Sequence, residues 1–401
     1  MILLSQIYIP SFKINIFFQL FVLVFYFSIE KESLSIRLIK TITPLIVIFI
    51  LGFIGFILYK NPLGYALKDI FHFIKPIQGI LIGYFLFKVI NDKKIFIKTI
   101  IQTGFISAII HFLILIIFVD LSSGSISVIR QFTRDNFLEL FALFFLAYNQ
   151  FFYHENVFSS KKKSRIIFAV IFTSSVLYFS RTMMVGALIL FLSIHGYTKI
   201  NQKSIKIILI IFISILSLYG YLYSVKIDRG KPGLEAFLYK IKIAPEELFK
   251  TKIDREDHKD LWDHWRGYEA KRSFALMEKH PFSIVSGTGY GSLVNLKFYA
   301  PLSSDKKGLK FISELHNGYP YVLYKMGIIG LLFYLFFLIR LYSKVYKKFS
   351  FENVFTSAIG IYYLFSTLTI TGLYNTSDTI IFVLGALIFV AEEKQKREKH
   401  D

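Results

Sequence analysis

The chain contains no cysteine. That excludes a secreted scaffold held by disulfides, and equally a thiolate nucleophile or a zinc–cysteine site. Charge is also scarce. Only 18% of the 401 residues are Asp, Glu, Lys or Arg, 54% are hydrophobic, and the mean hydropathy is +0.54. Soluble domains carry about 25% charged residues and about 45–50% apolar ones. The apolar excess here lies in long runs, which excludes a single soluble globule. Acidic residues are the scarcer kind, with 27 against 47 basic ones, a net charge of +20. In a soluble protein that balance would suggest nucleic acid. The placement of the charge points instead to a membrane.

A bilayer-spanning helix needs about 20 mostly apolar residues. Eleven segments qualify, near 12–29, 41–59, 70–90, 98–119, 135–153, 165–180, 182–197, 204–223, 317–340, 353–371 and 376–391. The fold class expected is an all-α polytopic membrane bundle of about eleven or twelve spans with one long external loop. Residues 1–223 form a first bundle, 224–315 the loop, 316–391 a second bundle and 392–401 a tail. The pair 165–180 and 182–197 is split at Ser180-Arg181-Thr182. An arginine at bilayer depth costs about 3 kcal/mol or more, and one at the interface is tolerated.

The linkers near 30–40, 88–98, 154–165, 198–206 and 340–350, with the tail, hold 22 Lys and Arg; the opposite ends hold seven. The positive-inside rule makes the first set cytoplasmic. The N-terminus then faces outward, and residues 1–11 are apolar but too short to span. They read as a re-entrant or interfacial piece. They lack the basic start and small-residue cleavage site of a signal peptide.

The external loop has 17 basic and 13 acidic residues. It opens with an apolar, basic stretch, 234–243, that suits a helix lying on the bilayer. A second helical pattern runs from Leu261 to Lys279 and stops at His280-Pro281. A glycine-rich turn follows, with Gly287, Gly289 and Gly291. Glycines let a backbone approach a ligand closely, and they equally make a tight turn between helices. No strand precedes them in a βαβ unit, so a dinucleotide site is not expected.

Chemistry on the outer face has two leading positions. His316, in Glu314-Leu-His316-Asn317-Gly-Tyr319, stands where the loop re-enters the membrane, in the first turn of a helix. The positive helix end disfavours imidazolium, holding the pKa below its ordinary value of about 6.5. A neutral imidazole there can accept a proton as a general base; the alternative is an interfacial capping residue. Ser180 reads as an N-cap and Arg181 as a helix start. A guanidinium beside exposed backbone N–H groups suits a phosphate or pyrophosphate; the alternative is an arginine snorkelling to the interface. Arg266 lies on the loop helix. Arg130, Arg134 and Glu139 cluster at the outer end of the fifth span, and Asp378 lies outside between the last two. An acidic and histidine cluster at 254–264 has a metal-compatible pair, Asp260 and His264, but seven nearby Lys and Arg favour ordinary surface pairing. No P-loop, serine triad or glycosidase carboxylate pair is present.

Ser180-Arg181 between two outward-meeting helices, Arg266 before Pro281 and the glycine turn, and His316-Asn317-x-Tyr319 followed by Gly327-Ile-Ile-Gly330 together resemble the bacterial O-antigen polymerase/O-antigen ligase superfamily. The likeness is strongest over 165–340. Ala270 and Pro320 depart from the family pattern. The resemblance implies a type C glycosyltransferase-like membrane enzyme acting without metal or cofactor. Its donor would be an undecaprenyl-pyrophosphate-linked glycan, used at the outer face of the bacterial inner membrane. A polymerase extends another lipid-linked repeat unit; a ligase transfers to lipid A-core. Arg181 and Arg266 would stabilise the leaving group and His316 would act as base. Arg130, Arg134, Glu139, Gly287, Gly289, Glu314, Asn317, Tyr319 and Asp378 would line the substrate site. Membrane lipids, a flippase and a chain-length regulator would be partners, and nucleic acid would not. The competing class is a lipid-linked oligosaccharide flippase, which would favour inverted repeats and broken helices at the midplane. No such pairing is visible.

Overall fold

The computed structural model describes residues 1–9, 11–30, 34–119, 129–130, 132–153, 156–227, 233–254, 256–302 and 308–400. Lys31, counted above for orientation, and Arg255, in the acidic cluster, lie outside these residues.

The helices in chain order are α1 (Ile2–Tyr8), α2 (Phe12–Ile29), α3 (Ile36–Tyr59), α4 (Leu63–Ile90), α5 (Lys93–Phe118), α6 (Phe137–Tyr153), α7 (Lys161–Leu177), α8 (Arg181–Ile194) and α9 (Gln202–Ser224). The loop adds α10 (Leu234–Lys242), α11 (Ala244–Phe249), α12 (His258–Asp263), α13 (Trp265–Met277) and α14 (Ser283–Ser286). It also holds an antiparallel hairpin of β1 (Val294–Ala300) and β2 (Leu309–Ile312). The chain ends with α15 (Gly318–Tyr342), α16 (Phe351–Thr369) and α17 (Ile380–His400).

Each of the eleven apolar segments falls on a helix. Among the described residues, six helices are long and apolar enough to cross a membrane: α2, α3, α4, α5, α9 and α15 with the turn that follows it. Two further apolar helices, within α6 and at α8, are shorter. This is an all-α multi-pass membrane protein. The small hairpin in the loop was not anticipated.

α4 and α17 pack together more extensively than any other pair. Small residues permit it, as membrane helix contacts require. A Cβ at Gly83 would lie 1.9 Å from the Phe382 carbonyl oxygen, and one at Gly385 would lie 2.2 Å from that of Ile80. α9 is the opposite case, exposed along almost its whole length, as a lipid-facing span should be.

The charges sort to the two ends of the bundle. At the lysine-rich end, Arg37 donates to the carbonyl oxygen of Ala391 at 3.2 Å, and Lys93 pairs with Glu352 at 3.3 Å. At the other end α1 tucks in: the Gln6 side chain is buried and donates to the Thr376 carbonyl oxygen. The apolar N-terminal stretch is thus a short helix packed on the bundle.

The expected split at Ser180 is present. α7 ends at Leu177, and Phe179 takes a left-handed φ of 45°. Ser180 then caps α8, its Oγ accepting from the Met183 N–H at 3.2 Å. A bulky residue at positive φ is costly; here it turns the chain so that Arg181 opens α8.

Candidate functional site

Arg181 reaches out of the membrane bundle to the loop. Its guanidinium lies 3.1 Å from the Glu247 carboxylate on α11 and donates to the carbonyl oxygen of Lys240 on α10. Arg266, in the first turn of α13, lies 2.8 Å from the same carboxylate. Two guanidinium groups 85 positions apart in the chain are joined by one buried Glu, leaving one net positive charge. The Arg266 Nε is enclosed and has no hydrogen-bond partner among the described residues. An uncommitted, sheltered N–H on a permanent cation suits an anionic oxygen.

Glu269 lies one helical turn beyond Arg266, on the same α13 face. It is buried, and it holds His316 twice. The His316 backbone N–H donates to one carboxylate oxygen at 2.9 Å, and its Nδ1 lies 3.0 Å from the other. Trp265 Nε1 donates to the same carboxylate. The His316 side chain is 56% exposed over a Glu269 side chain that is 1% exposed. With Nδ1–H given to the Glu269 carboxylate, which can only accept, the neutral ring keeps Nε2 as its proton acceptor.

This geometry corrects one expectation. His316 does not lie in the first turn of the helix; Asn317 is the N-cap and α15 begins at Gly318. Burial lowers its pKa, but the hydrogen bond and charge of Glu269 outweigh burial, and the net shift is upward from 6.5. A full negative charge in contact exceeds the partial charge of a helix end. Arg266 also bears on this ring, pulling in the opposite direction. The arginine pair and the histidine therefore form one electrostatic neighbourhood.

The remaining candidates divide. Glu314 sits beside His316 in sequence and pairs with Lys68 at 2.7 Å and His72 at 3.2 Å. Arg130 donates to the Phe179 carbonyl oxygen at 3.4 Å and pairs with Asp135, so it lies at the turn before Arg181. Arg134 is exposed.

Other candidates serve the packing. The Asn317 side chain accepts from the Tyr319 N–H, and the Tyr319 hydroxyl donates to the Leu364 carbonyl oxygen at 2.7 Å, pinning α15 to α16. Glu139 is wholly enclosed, and Ser107, Asn136, Ser174 and Tyr178 all donate to its carboxylate. Asp378 is buried and accepts from the Tyr363 hydroxyl at 2.6 Å. Neither carboxylate touches the arginine pair.

The glycine turn is corrected in the same way. Gly287 and Gly289 adopt φ of 78° and 76°, and what they approach closely is protein backbone. A Cβ at Gly289 would lie 2.1 Å from the Phe56 nitrogen on α3, and one at Gly287 would lie 2.1 Å from the Lys325 carbonyl oxygen on α15. The N–H groups of Gly287, Thr288, Gly289, Tyr290 and Gly291 are all given to protein acceptors. α15 breaks opposite this turn, at Gly327 with φ 67°. Beneath it, the buried Lys325 ammonium pairs with Asp69, which also accepts from the Gly291 N–H. Having no side chain therefore lets α3, α15 and the turn meet, and leaves no free donor for a ligand.

In the acidic cluster, Asp260 lies 2.9 Å from His264 and 3.3 Å from Lys250, and Asp263 pairs with Lys240 at 2.6 Å. Among the described residues no group of three His, Asp or Glu side chains could hold a metal ion.

Glu247 and Glu269 were missed in the sequence. The three-residue spacing of Arg266 and Glu269 was a signal for the second. Nothing local marked Glu247. An apolar groove was also missed. It has a volume of about 520 Å³, runs between α6, α7 and α8, and includes Ser180 in its lining. Leu140, Phe144, Phe172 and Met183 line it, and Leu234 and Phe237 of α10 close one end.

No curated protein and no solved structure matches the chain. Residues 166–335 do match the family model described as O-antigen ligase. That stretch contains Arg181, Glu247, Arg266, Glu269 and His316, so every residue of this site falls within the segment that is similar to the O-antigen ligase family.

Proposed function

We propose that the protein is a metal-independent membrane glycosyltransferase that polymerises undecaprenyl-pyrophosphate-linked oligosaccharide repeat units. The polymer would be O-antigen or capsular polysaccharide, built at the outer face of the bacterial inner membrane with the 224–315 loop in the periplasm. The observation that carries this reading is the joining of Arg181 and Arg266 at Glu247, next to His316 held by Glu269.

In this reaction the acceptor hydroxyl oxygen forms a bond to the donor's anomeric carbon, and the bond from that carbon to pyrophosphate breaks. The leaving group departs with its electron pair as negative charge grows on its oxygens. Arg181 and Arg266 stabilise that charge, with Glu247 displaced from their donors. His316 Nε2 takes the hydroxyl proton, and Glu269 stabilises the resulting imidazolium and fixes the ring. The apolar groove supports a polyprenyl donor, because its lining suits an isoprenoid chain and includes Ser180, the residue before Arg181, where the pyrophosphate would sit. A flippase and a chain-length regulator would work beside the enzyme.

The description of the matching family favours a second reading, transfer of the finished glycan to lipid A-core. Deleting the gene and separating surface glycans by gel electrophoresis tests both. A single repeat unit on the core supports the polymerase. Naked core with accumulated lipid-linked polymer supports the ligase. Unchanged glycan defeats both readings.

A further inference from the structure

The end of the bundle opposite the arginine pair carries a second feature. A cleft of about 550 Å³ lies between the ends of α3, α15, α16 and α17. Six cations line it: Arg37, Lys40, Arg340, Lys344, Lys347 and Lys396. Glu392 is the only carboxylate in the lining. Glu392 accepts from Ser35 at 2.7 Å and from Tyr84 at 3.0 Å and lies 3.7 Å from Lys396, which also pairs with Glu393 at 2.8 Å. Among the described residues, no carboxylate lies within ion-pair distance of Lys40, Lys344 or Lys347. The positive charges of Lys347, Arg340 and Arg37 all bear on Lys344. Ile36, Leu341 and Ile388 add an apolar wall.

Arg37 and Arg340 donate to the carbonyl oxygens of Ala391 and Lys40, but the positive-inside rule does not account for three further lysines, Lys40, Lys344 and Lys347, gathered with no carboxylate in reach. A neighbouring cleft of about 490 Å³ at the same end provides the comparison. There Lys93, Lys94, Lys394 and Arg397 stand among Asp92, Glu393 and Glu398, and Glu352 lies within 4 Å of both Lys93 and Lys394. That neighbouring cleft has three carboxylates in its lining against four cations; the larger cleft has one against six, and its Lys40, Lys344 and Lys347, from the ends of α3 and α15, have no carboxylate in reach among the described residues.

We propose that the α3/α15/α17 cleft binds the phosphate headgroup of an acidic membrane phospholipid. The chemistry recognised is a phosphodiester oxygen pair gripped by Arg340 and the lysines around it. A lipid fits better than a free phosphate. The cleft opens at the ends of membrane spans, where headgroups lie, and its apolar wall can carry the first methylenes of an acyl chain. Basic pockets between helices on the cytoplasmic side are a recognised form of such recognition. The bound lipid neutralises repulsion between α3 and α15, the two helices that also grip the glycine turn at the other end.

The test is native mass spectrometry of the delipidated full chain, titrated separately with phosphatidylglycerol and phosphatidylcholine. Phosphatidylglycerol is expected to be retained in preference. The variant Arg340→Gln/Lys344→Gln/Lys347→Gln should weaken that retention about 100-fold, at about 5-fold per cation removed. Lys394→Gln/Arg397→Gln, in the balanced cleft, should leave it unchanged. If the triple variant does not fold, Lys347→Gln alone, at an exposed position, should lower retention about 5-fold. Equal retention of the two lipids overturns the proposal, as does equal binding by the parent and the folded variants. Displacement of the lipid by millimolar inorganic phosphate overturns the choice of a lipid over a free anion.

Discussion

Glu269 holds His316 by two bonds, one to its backbone N–H at 2.9 Å and one to Nδ1 at 3.0 Å. The two residues are 47 positions apart, one on the loop helix α13 and the other at the mouth of α15. This contact fixes which ring nitrogen is free to react, and it joins the loop to the membrane bundle at the site.

His316→Ala should lose about 10²–10⁴-fold in rate, the worth of a positioned base, with donor affinity largely kept. Turnover measured beside donor binding decides this. A substitution that abolishes binding instead would make His316 a binding residue.

The pH profile tests Glu269. Imidazolium cannot accept a proton, so activity falls as pH drops through the His316 pKa. Glu269 raises that pKa above the ordinary 6.5, so the acidic limb should begin at a higher pH than for a free histidine. Glu269→Gln removes the charge and should shift the limb to lower pH while slowing turnover. An unmoved limb would separate Glu269 from the base.

Arg181→Ala should cost about 10²–10³-fold in polymer formation, as removal of a charge-stabilising donor does. Arg181→Lys should fall between, because an ammonium keeps the charge and loses the fork. Full activity of the Ala variant in an assay with purified lipid-linked repeat units would refute a pyrophosphate role.

Gly289→Ala should destabilise the fold by several kcal/mol, on the order of the most damaging single substitutions. Its φ is 76° and the new Cβ would lie 2.1 Å from the Phe56 nitrogen. Gly220→Ala, near the C-terminal end of α9 with nothing within 4 Å of the added Cβ, should be neutral or slightly stabilising. Thermal midpoints in detergent compare the two.

Breaking the buried pair should be severe. Asp69→Asn or Lys325→Met alone leaves an uncompensated buried charge, worth about 3–5 kcal/mol. The double variant should recover part of that loss. A double variant no better than the worse single would mean the pair is not coupled.

The sequence by itself determined the helices, because an apolar run of span length has few alternatives in a bilayer. It also marked Ser180 as a cap, Arg181 as a helix start and His316 as the loop's point of re-entry, since local spacing encodes these. Only the tertiary structure decided their partners. Nothing near Arg181 in the chain foretells Glu247, and nothing near His316 foretells Glu269; both carboxylates arrive on loop helices whose path depends on packing between distant segments. The same cause explains the glycines and Glu139. A Gly at positive φ reads alike whether it faces a ligand or another backbone, and a carboxylate in a span reads alike whether it faces a cavity or four protein donors. What closes around such a residue is a long-range contact, and local periodicity carries no record of it.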